Sequence, residues 1–161
     1  MPGSMKAALM ALSPVFLDSN IFIYHLENRQ PYCRLTAALF ALIEAGKIIA
    51  YTSTLTILEI SVGPYRVKRP EIALMQTTLL NQLSHLRIQD LTQDIAHTAA
   101  KLRADYKIKT PDAIQLATAL SVKAKTVITH DKRLTRINVL SFYVINETTC
   151  RSLDSAGTLL P

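Results

Sequence analysis

The sequence predicts a single α/β domain built on a mostly parallel sheet flanked by helices. Short apolar or β-branched runs alternate with longer segments of helical periodicity, and this alternation is typical of parallel sheets. The chain has 161 residues, which suits one domain with a sizeable core. Hydrophobic residues make up 49% of it, a fraction typical of globular proteins and not of disordered ones.

The first half of the chain predicts two strands and four helices. An apolar run and a β-branched run predict the strands, and the apolar residues around them recur at helical spacing. Gly46 can end one helix, Gly63-Pro64 can end the next, and Pro70 suits the first turn of another. In chain order we expect a strand at 15–17, helices at 21–26 and 32–45, a strand at 48–52, and helices at 54–61 and 71–83.

The second half predicts three more strands and two long helices. Thr110 is placed to cap a helix whose first turn holds Pro111. The opening MPGSM resembles a cloning remnant and is left out of the fold, and the polar tail 151–161 is expected to be partly disordered. In chain order we expect a strand at 86–89, helices at 92–107 and 110–122, a strand at 126–129, a helical turn at 131–134 and a last strand at 139–143.

Charge and cysteine content narrow the classes of function. The net charge of +6 favours a polyanionic partner. Cys33 and Cys150 lie in no metal-binding spacing, which argues against a disulfide scaffold or a zinc site and fits a reducing cytoplasm. No apolar run reaches the ~18 residues of a membrane span, and the N-terminus is a poor match to a signal peptide. We therefore expect a cytoplasmic protein without a membrane partner.

Four carboxylates occupy equivalent places along the predicted fold. Asp18 follows the first strand, Glu59 lies on the helix after the second strand, Asp112 is in the first turn of its helix, and Asp131 follows the fourth strand. Ligands of parallel α/β folds bind outside the carboxyl ends of the strands. All four side chains could therefore meet at one edge of the sheet.

Each acid taken alone also has a simple structural interpretation, and that alternative stays open. Asp18 and Asp131 could be helix N-caps, Glu59 stands at capping-box spacing after Thr56, and Asp112 could favour the helix dipole.

The four acids taken together are harder to explain as caps. Leu55, Leu58 and Ile60 are expected to surround Glu59 with apolar groups, and the helix after Asp112 is almost uncharged. Carboxylates about 6 Å apart repel by roughly 3 kcal/mol per pair at an effective dielectric near 20. A divalent cation that prefers oxygen ligands, Mg²⁺ or Mn²⁺, is the natural compensation.

Four segments resemble the acidic motifs of the PIN domain family, in that family's order: VFLDSNIFIYHLE, YTSTLTILEIS, LRADYKIKTPDAIQLATAL and VITHDKRL. Of these, TPDAIQLATAL is the most specific. The resemblance covers residues 14–145, so that 1–13 would be an N-terminal segment and 146–161 a C-terminal tail. Size and layout are most similar to VapC-type toxins, the ribonuclease halves of toxin–antitoxin pairs.

The resemblance implies a three-layer α/β/α sandwich with a five-stranded, mostly parallel sheet. It further implies a metal-dependent ribonuclease site in which Asp18, Glu59, Asp112 and Asp131 are catalytic and hold Mg²⁺ or Mn²⁺. Asn20 and Thr129 match the supporting polar residues beside the first and fourth acids. His130 departs from the family, which often has Asn there, and we expect it to be an exposed turn residue.

The resemblance also implies an RNA substrate and a small antitoxin protein as partners, and a homodimer is one option for assembly. The alternatives are a housekeeping RNA-processing nuclease, a catalytically weak binding module of the same fold, and a DNA-cleaving nuclease. Basic residues near the last two acids are candidates for contacts with RNA phosphates. These are Lys107, Lys109, Lys132, Arg133 and Arg136.

Overall fold

The computed structural model describes residues 2–154 and contains one sheet of five strands in the order β3-β2-β1-β4-β5. Every neighbouring pair of strands is parallel. No helix among the described residues is long and apolar enough to cross a bilayer. The elements are α1 Pro2–Ala11, β1 Val15–Leu17, α2 Ser19–Leu26, α3 Tyr32–Glu44, β2 Ala50–Ser53, α4 Thr54–Arg66, α5 Pro70–Gln82, β3 Leu86–Gln89, α6 Gln93–Tyr106, α7 Thr110–Ser121, β4 Thr126–Thr129, the 3-10 helix Lys132–Arg136, β5 Phe142–Val144 and α8 Glu147–Asp154.

Two hydrophobic clusters cover the two faces of the sheet. The central strand β1 shows this directly, because successive side chains of a strand point to opposite faces. Val15 and Leu17 belong to the cluster that includes residues of α2 and α3, whereas Phe16 belongs to the cluster with α6 and α7. All three side chains are fully buried. The predicted three-layer sandwich with a five-stranded parallel sheet is confirmed.

The strand order reverses at β1, and this reversal positions the site. The chain leaves β1 toward β2 and β3 on one side and later returns to β4 and β5 on the other. In such folds a crevice opens at the carboxyl ends of the strands at the reversal point. Leu17 pairs with Ile128 at the end of the β1–β4 ladder. The residues that follow this pair, Asp18 and Thr129, therefore open the crevice.

Two predicted helix boundaries, the end of α4 and the start of α7, were wrong. The helix α4 does not end at Gly63-Pro64 but continues to Arg66, because its packing on α5 and the burial of Ile60 outweigh the hydrogen bond that a proline removes. Thr110 is the first residue of α7 and not its cap, since Lys109 takes the N-cap position without a side-chain bond.

The predicted strands 48–52 and 139–143 are shifted toward the C-terminus. They appear as Ala50–Ser53 and Phe142–Val144, because pairing with the neighbouring strand sets the register. Val139, predicted to begin the last strand, is 49% exposed.

Both ends of the described chain pack on the domain instead of standing apart from it. The N-terminal segment forms α1, which contacts α3 and buries Leu9 in the first hydrophobic cluster. The expected C-terminal tail contains α8, which packs on α3 and buries Cys150. Residues 151–154 of the tail that was predicted to be partly disordered are helical, and the rest of the tail lies outside the described residues.

Candidate active site

Asp18 lies at the centre of the crevice, between the end of β1 and the start of α2. One carboxylate oxygen, Oδ1, accepts the backbone N–H of Ser19 at 2.7 Å. The other oxygen, Oδ2, accepts the Thr129 hydroxyl at 2.6 Å and the Asn20 amide at 2.9 Å. Asp18 is thus the N-cap of α2, as the structural interpretation predicted, and it accepts three hydrogen bonds from groups on α2 and β4.

Burial raises the pKa of Asp18 from 3.8 to about 6. The hydrogen bonds from Thr129 and Ser19 lower this pKa, and the charges of Glu59 and Asp112 raise it. Desolvation therefore outweighs the stabilising hydrogen bonds. A cation at this carboxylate would remove the conflict.

The hydrogen bonds indicate which oxygen of Asp18 can accept a cation. Each carboxylate oxygen offers about two lone-pair sites. The two hydrogen bonds to Oδ2 occupy both of its sites, whereas Oδ1 accepts a single one. Within the described part of the chain, one lone pair of Oδ1 therefore has no hydrogen-bond donor.

Asn20 and Thr129 hold Asp18 from two different elements. The Thr129 hydroxyl, which donates to Asp18, accepts the backbone N–H of Asp131 at 3.1 Å. The Asn20 amide donates to Asp18 and accepts the backbone N–H of His130 at 3.2 Å through its Oδ1. These bonds tie the start of α2 to the end of β4 and fix the carboxylate between them.

The charges of Glu59 on α4 and Asp112 on α7 both raise the pKa of Asp18, so the two carboxylates lie within electrostatic range of it. The pKa of Asp112 is itself raised, first by burial and then by the charge of Asp131. The structure thus brings the four predicted acids into one electrostatically linked series. The alternative of a capping box at Thr56–Glu59 was wrong, since α4 begins at Thr54 and Thr56 is buried inside it.

Asp131 differs from the other three acids, because a cation already holds it. It caps the 3-10 helix through the backbone N–H of Arg133 at 2.9 Å. The guanidinium of the same arginine contacts both carboxylate oxygens, with Nε at 2.9 Å from Oδ1 and Nη2 at 2.5 Å from Oδ2. This contact lowers the pKa of Asp131.

The carboxylates are the type of ligand that Mg²⁺ prefers, but they do not form a complete set of metal ligands. Within the described part of the chain, no group of three His, Cys, Asp or Glu side chains is close enough to hold a metal ion directly. Mg²⁺ commonly keeps several waters and uses one or two protein carboxylates. The free lone pair of Asp18 Oδ1, with Glu59 and Asp112 nearby, fits that mode of binding.

A basic pocket adjoins the acids. A cavity of about 150 Å³ lies between the start of α7 and the 3-10 helix, where the acids Asp112 and Asp131 form part of its wall. Lys132, the fifth basic candidate, is exposed and does not line it. The basic residues that line the cavity are Lys107, Lys109, Arg133 and Arg136.

His130 is not the exposed turn residue that we expected. Its ring is half-buried and lies edge-on to Tyr24 and Tyr32, with centroid distances of 5.2 and 4.9 Å. Its Nδ1 lies 2.8 Å from the carbonyl oxygen of Ile145 and donates to it, since a carbonyl only accepts. Leu58, expected to be in apolar surroundings, is 59% exposed, whereas Ile60 is buried as predicted.

One feature of the site had no counterpart in the sequence analysis. Behind the acids lies a cluster of five buried polar side chains, Ser19, Thr52, Ser53, Thr56 and Gln115. The one sequence feature that could have indicated this cluster is Gln115 itself, a polar residue three positions after Asp112 in an almost uncharged helix. Its partners are 59 to 96 residues away in sequence.

Comparison with known proteins identifies the family of this chain. The sequence profile of the PIN domain family matches residues 15–140, and the chain belongs to that family. Solved structures with a similar fold include a toxin–antitoxin complex, VapBC complexes and FitAcB. A search of curated proteins finds no match.

Three solved structures illustrate the similarity. A toxin–antitoxin complex from Klebsiella pneumoniae is 30% identical, with a TM-score of 0.59 over 83% of this chain and 100% of that chain. FitAcB from Neisseria gonorrhoeae is 25% identical, with a TM-score of 0.61 over 80% and 96%. VapBC2 from Rickettsia felis, bound to a DNA fragment from its promoter, is 20% identical, with a TM-score of 0.63 over 82% and 98%, and supports the fold alone.

Proposed function

We propose that this PIN protein is a metal-dependent endoribonuclease, the toxin of a VapBC-type toxin–antitoxin pair. The observation that carries the proposal is the environment of Asp18. Its carboxylate is half-buried, desolvation raises its pKa to about 6 and the charges of Glu59 and Asp112 add to that rise, while Oδ1 accepts a single hydrogen bond from the described residues. Such a group is stabilised by a cation more than by any contact the chain itself supplies.

Asp18, Glu59 and Asp112 would hold Mg²⁺ or Mn²⁺. When bound, the ion supplies charge neutralisation on the phosphate and a lowered pKa for water. One of the three carboxylates orients the attacking water and takes its proton. Thr129 and Asn20 keep Asp18 in place through Oδ2, and Oδ1, which accepts one hydrogen bond from Ser19, would bind the ion.

Asp131 has a different role in this proposal. Arg133 is largely exposed, and exposed ion pairs contribute only about 0–1 kcal/mol. An RNA phosphate that enters the basic pocket can therefore replace Asp131 as the ion-pair partner of Arg133. Asp131 then becomes free to assist the metal beside Asp112.

The basic pocket suggests where a phosphate of the RNA would bind. The pocket holds Lys109 and Arg136 next to the acids Asp112 and Asp131. Phosphate contacts position a nucleic acid without reading its sequence. We infer that the phosphate next to the cleaved bond lies in this pocket while the cleaved bond lies over Asp18.

An antitoxin partner is supported by the neighbours and by one surface. The Klebsiella pneumoniae neighbour is a toxin–antitoxin complex. On this chain, α4 and α5 expose a set of large apolar side chains, and contiguous exposed apolar surface usually marks a protein contact. A small antitoxin or a second copy of the chain would cover them. They are Leu58, Val62, Tyr65, Leu74, Met75 and Leu79.

The test is cleavage of RNA by the purified chain under controlled metal conditions. We expect cutting of structured or single-stranded RNA with Mg²⁺ or Mn²⁺, none in EDTA, and recovery when the metal is restored. The Asp18→Asn variant should lose at least about 100-fold in rate, because the group that binds the metal is gone. The Asp90→Asn variant, which alters an exposed aspartate, should cut like the wild type. Undiminished cutting in EDTA would contradict the proposal.

A further inference from the structure

The buried side chain of Gln115 contacts the elements that carry the three central acids. Its amide nitrogen donates to the hydroxyl of Ser19 at 2.6 Å and to that of Thr56 at 3.1 Å. Its amide oxygen accepts the hydroxyl of Ser53 at 2.6 Å. Gln115 is 4% exposed, and its three partners are equally buried. One side chain of α7 is thus bonded to α2, to α4 and to the end of β2.

Two of the partners, Ser19 and Thr56, and Gln115 itself each stand close in sequence to one of the acids. Ser19 directly follows Asp18, and its backbone N–H bonds that carboxylate. Thr56 precedes Glu59 by three residues on α4, and Gln115 follows Asp112 by three residues on α7. Residues three apart lie on the same side of a helix. A shift at any of these bonds would therefore be passed to the acid one turn away.

The direction of every hydrogen bond in the cluster follows from one carbonyl group. The hydroxyl of Thr52 donates to the Leu17 carbonyl at 2.9 Å, which uses its only proton. At the 2.8 Å contact with Thr56, Thr52 must therefore accept. Thr56, having donated there, accepts the hydroxyl proton of Ser19 at 3.0 Å.

The same reasoning fixes the amide of Gln115. Ser19 has given its proton to Thr56, so at its contact with Gln115 it can only accept. The amide nitrogen must face Ser19 and Thr56, and the amide oxygen must face Ser53. A flipped amide would place its oxygen against the Thr56 oxygen with no proton between them. No other orientation satisfies the cluster, and an unsatisfied buried polar group costs about 1–3 kcal/mol.

We propose that Gln115 is a positioning residue of the metal site. Through Ser19, Ser53 and Thr56 it holds the starts of α2, α4 and α7 at the spacing that lets Asp18, Glu59 and Asp112 share one cation. It touches neither the ion nor the substrate. The inference rests on the proposed function, because it concerns the same metal site.

The test compares Mn²⁺ binding by the wild type and by Gln115→Met, followed through the electron paramagnetic resonance signal of free Mn²⁺. Methionine has a similar volume but no hydrogen bond to offer. We expect the dissociation constant to rise at least about ten-fold, as for other residues that orient metal ligands. In RNA cleavage, kcat should fall while KM for RNA stays unchanged, because the basic pocket is intact.

Thr118→Val is the matched control. Thr118 is equally buried on α7, and its hydroxyl bonds only to the carbonyl oxygen of Ile114 in its own helix. Its Mn²⁺ affinity should stay within about two-fold of the wild type, even if its melting temperature falls by the loss of one buried hydrogen bond. A control variant that lost affinity like Gln115→Met would show that any polar loss in α7 suffices, and would overturn the inference.

The remaining outcomes are decisive as well. A folded Gln115→Met variant with wild-type Mn²⁺ affinity would overturn the positioning role. If Gln115→Met does not fold, Ser53→Ala, which removes one hydrogen bond from the amide oxygen, replaces it. A several-fold loss of affinity in Ser53→Ala supports the inference, and unchanged affinity overturns it. Absence of Mn²⁺ binding by the wild type would instead contradict the proposed function itself.

Discussion

Asp18 shows how a single residue can serve folding and function with opposing requirements. As the N-cap of α2 it contributes a hydrogen bond to the first turn of the helix. As a buried carboxylate it destabilises the protein whenever it is ionised, because burial raises its pKa to about 6. The gap from the ordinary value of 3.8 corresponds to about 3 kcal/mol at 1.36 kcal/mol per unit.

This pKa predicts a pH dependence of the metal-free protein. A carboxylate with a raised folded-state pKa contributes stability that is complete below pH 4 and is lost as the pH rises through 6. In the Asp18→Asn variant residue 18 cannot ionise, so the variant does not lose this part of its stability as the pH rises. Relative to the wild type, the variant should therefore gain about 2–3 kcal/mol in free energy of unfolding between pH 4 and pH 8.

The measurement is urea unfolding in EDTA at several pH values, with Asp90→Asn as the control. The difference in unfolding free energy between the wild type and Asp18→Asn separates the contribution of Asp18 from those of the other groups that titrate in this range. If the plots of unfolding free energy against pH for the wild type and Asp18→Asn stay parallel across this range, the assigned pKa of Asp18 is refuted. Added Mn²⁺ should stabilise the wild type and leave the variant unchanged.

At the scale of elements, the start of α7 brings opposite charges side by side. Lys109 is its N-cap residue, and Asp112 lies in its first turn. The 3-10 helix places Arg133 and Arg136 against them. Under the proposed function, the acids would hold a cation while the basic side chains bind the phosphates of the RNA.

This arrangement predicts how salt affects RNA binding. Each phosphate contact to a single strand contributes about 0.7 to the slope of log affinity against log salt. Lys109→Gln should therefore reduce the slope by about 0.7 in EDTA, where cleavage is absent. The control is Lys123→Gln. Lys123 lies just beyond the other end of α7, roughly 20 Å from Lys109 at 1.5 Å per residue. An unchanged slope for Lys109→Gln, or an equal change for Lys123→Gln, would exclude Lys109 from the RNA contact.

At the scale of the molecule, the reversal of strand order at β1 and the apolar surface of α4 and α5 serve separate tasks. The reversal assembles the acids at one edge of the sheet. The apolar surface offers a protein partner a contact that leaves the sheet intact. A toxin needs both features, because its activity must be available to RNA and subject to a protein inhibitor.

Expression of the chain in a bacterial host tests this combination. We expect the wild type to arrest growth and Asp18→Ala to leave growth unaffected, since the metal site is lost. Asp90→Ala should arrest growth like the wild type. Co-expression of the small protein encoded beside this gene should restore growth. Arrest by wild type and Asp18→Ala alike would separate toxicity from the site, and no arrest at all would favour a housekeeping RNA-processing nuclease.

The sequence by itself determined the class of fold and the identity of the acids. Alternating strands and helices predicted the parallel sheet, and the positions of Asp18, Glu59, Asp112 and Asp131 after strands or in first turns predicted one shared edge. These features are local or follow from the regular geometry of parallel folds. They were therefore readable without contacts between distant residues.

The tertiary structure alone decided how the site is held. Thr129 reaches Asp18 across 111 residues of chain, and Ser53 reaches Gln115 across 62. The continuation of α4 through Pro64 and the half-burial of His130 likewise depend on packing partners. Local preferences of a sequence describe a residue and its near neighbours, whereas hydrogen bonds and burial depend on the groups that folding brings within about 3 Å. For that reason the sequence indicated the four acids, whereas only the structure showed the contacts of the glutamine that we propose aligns three of them.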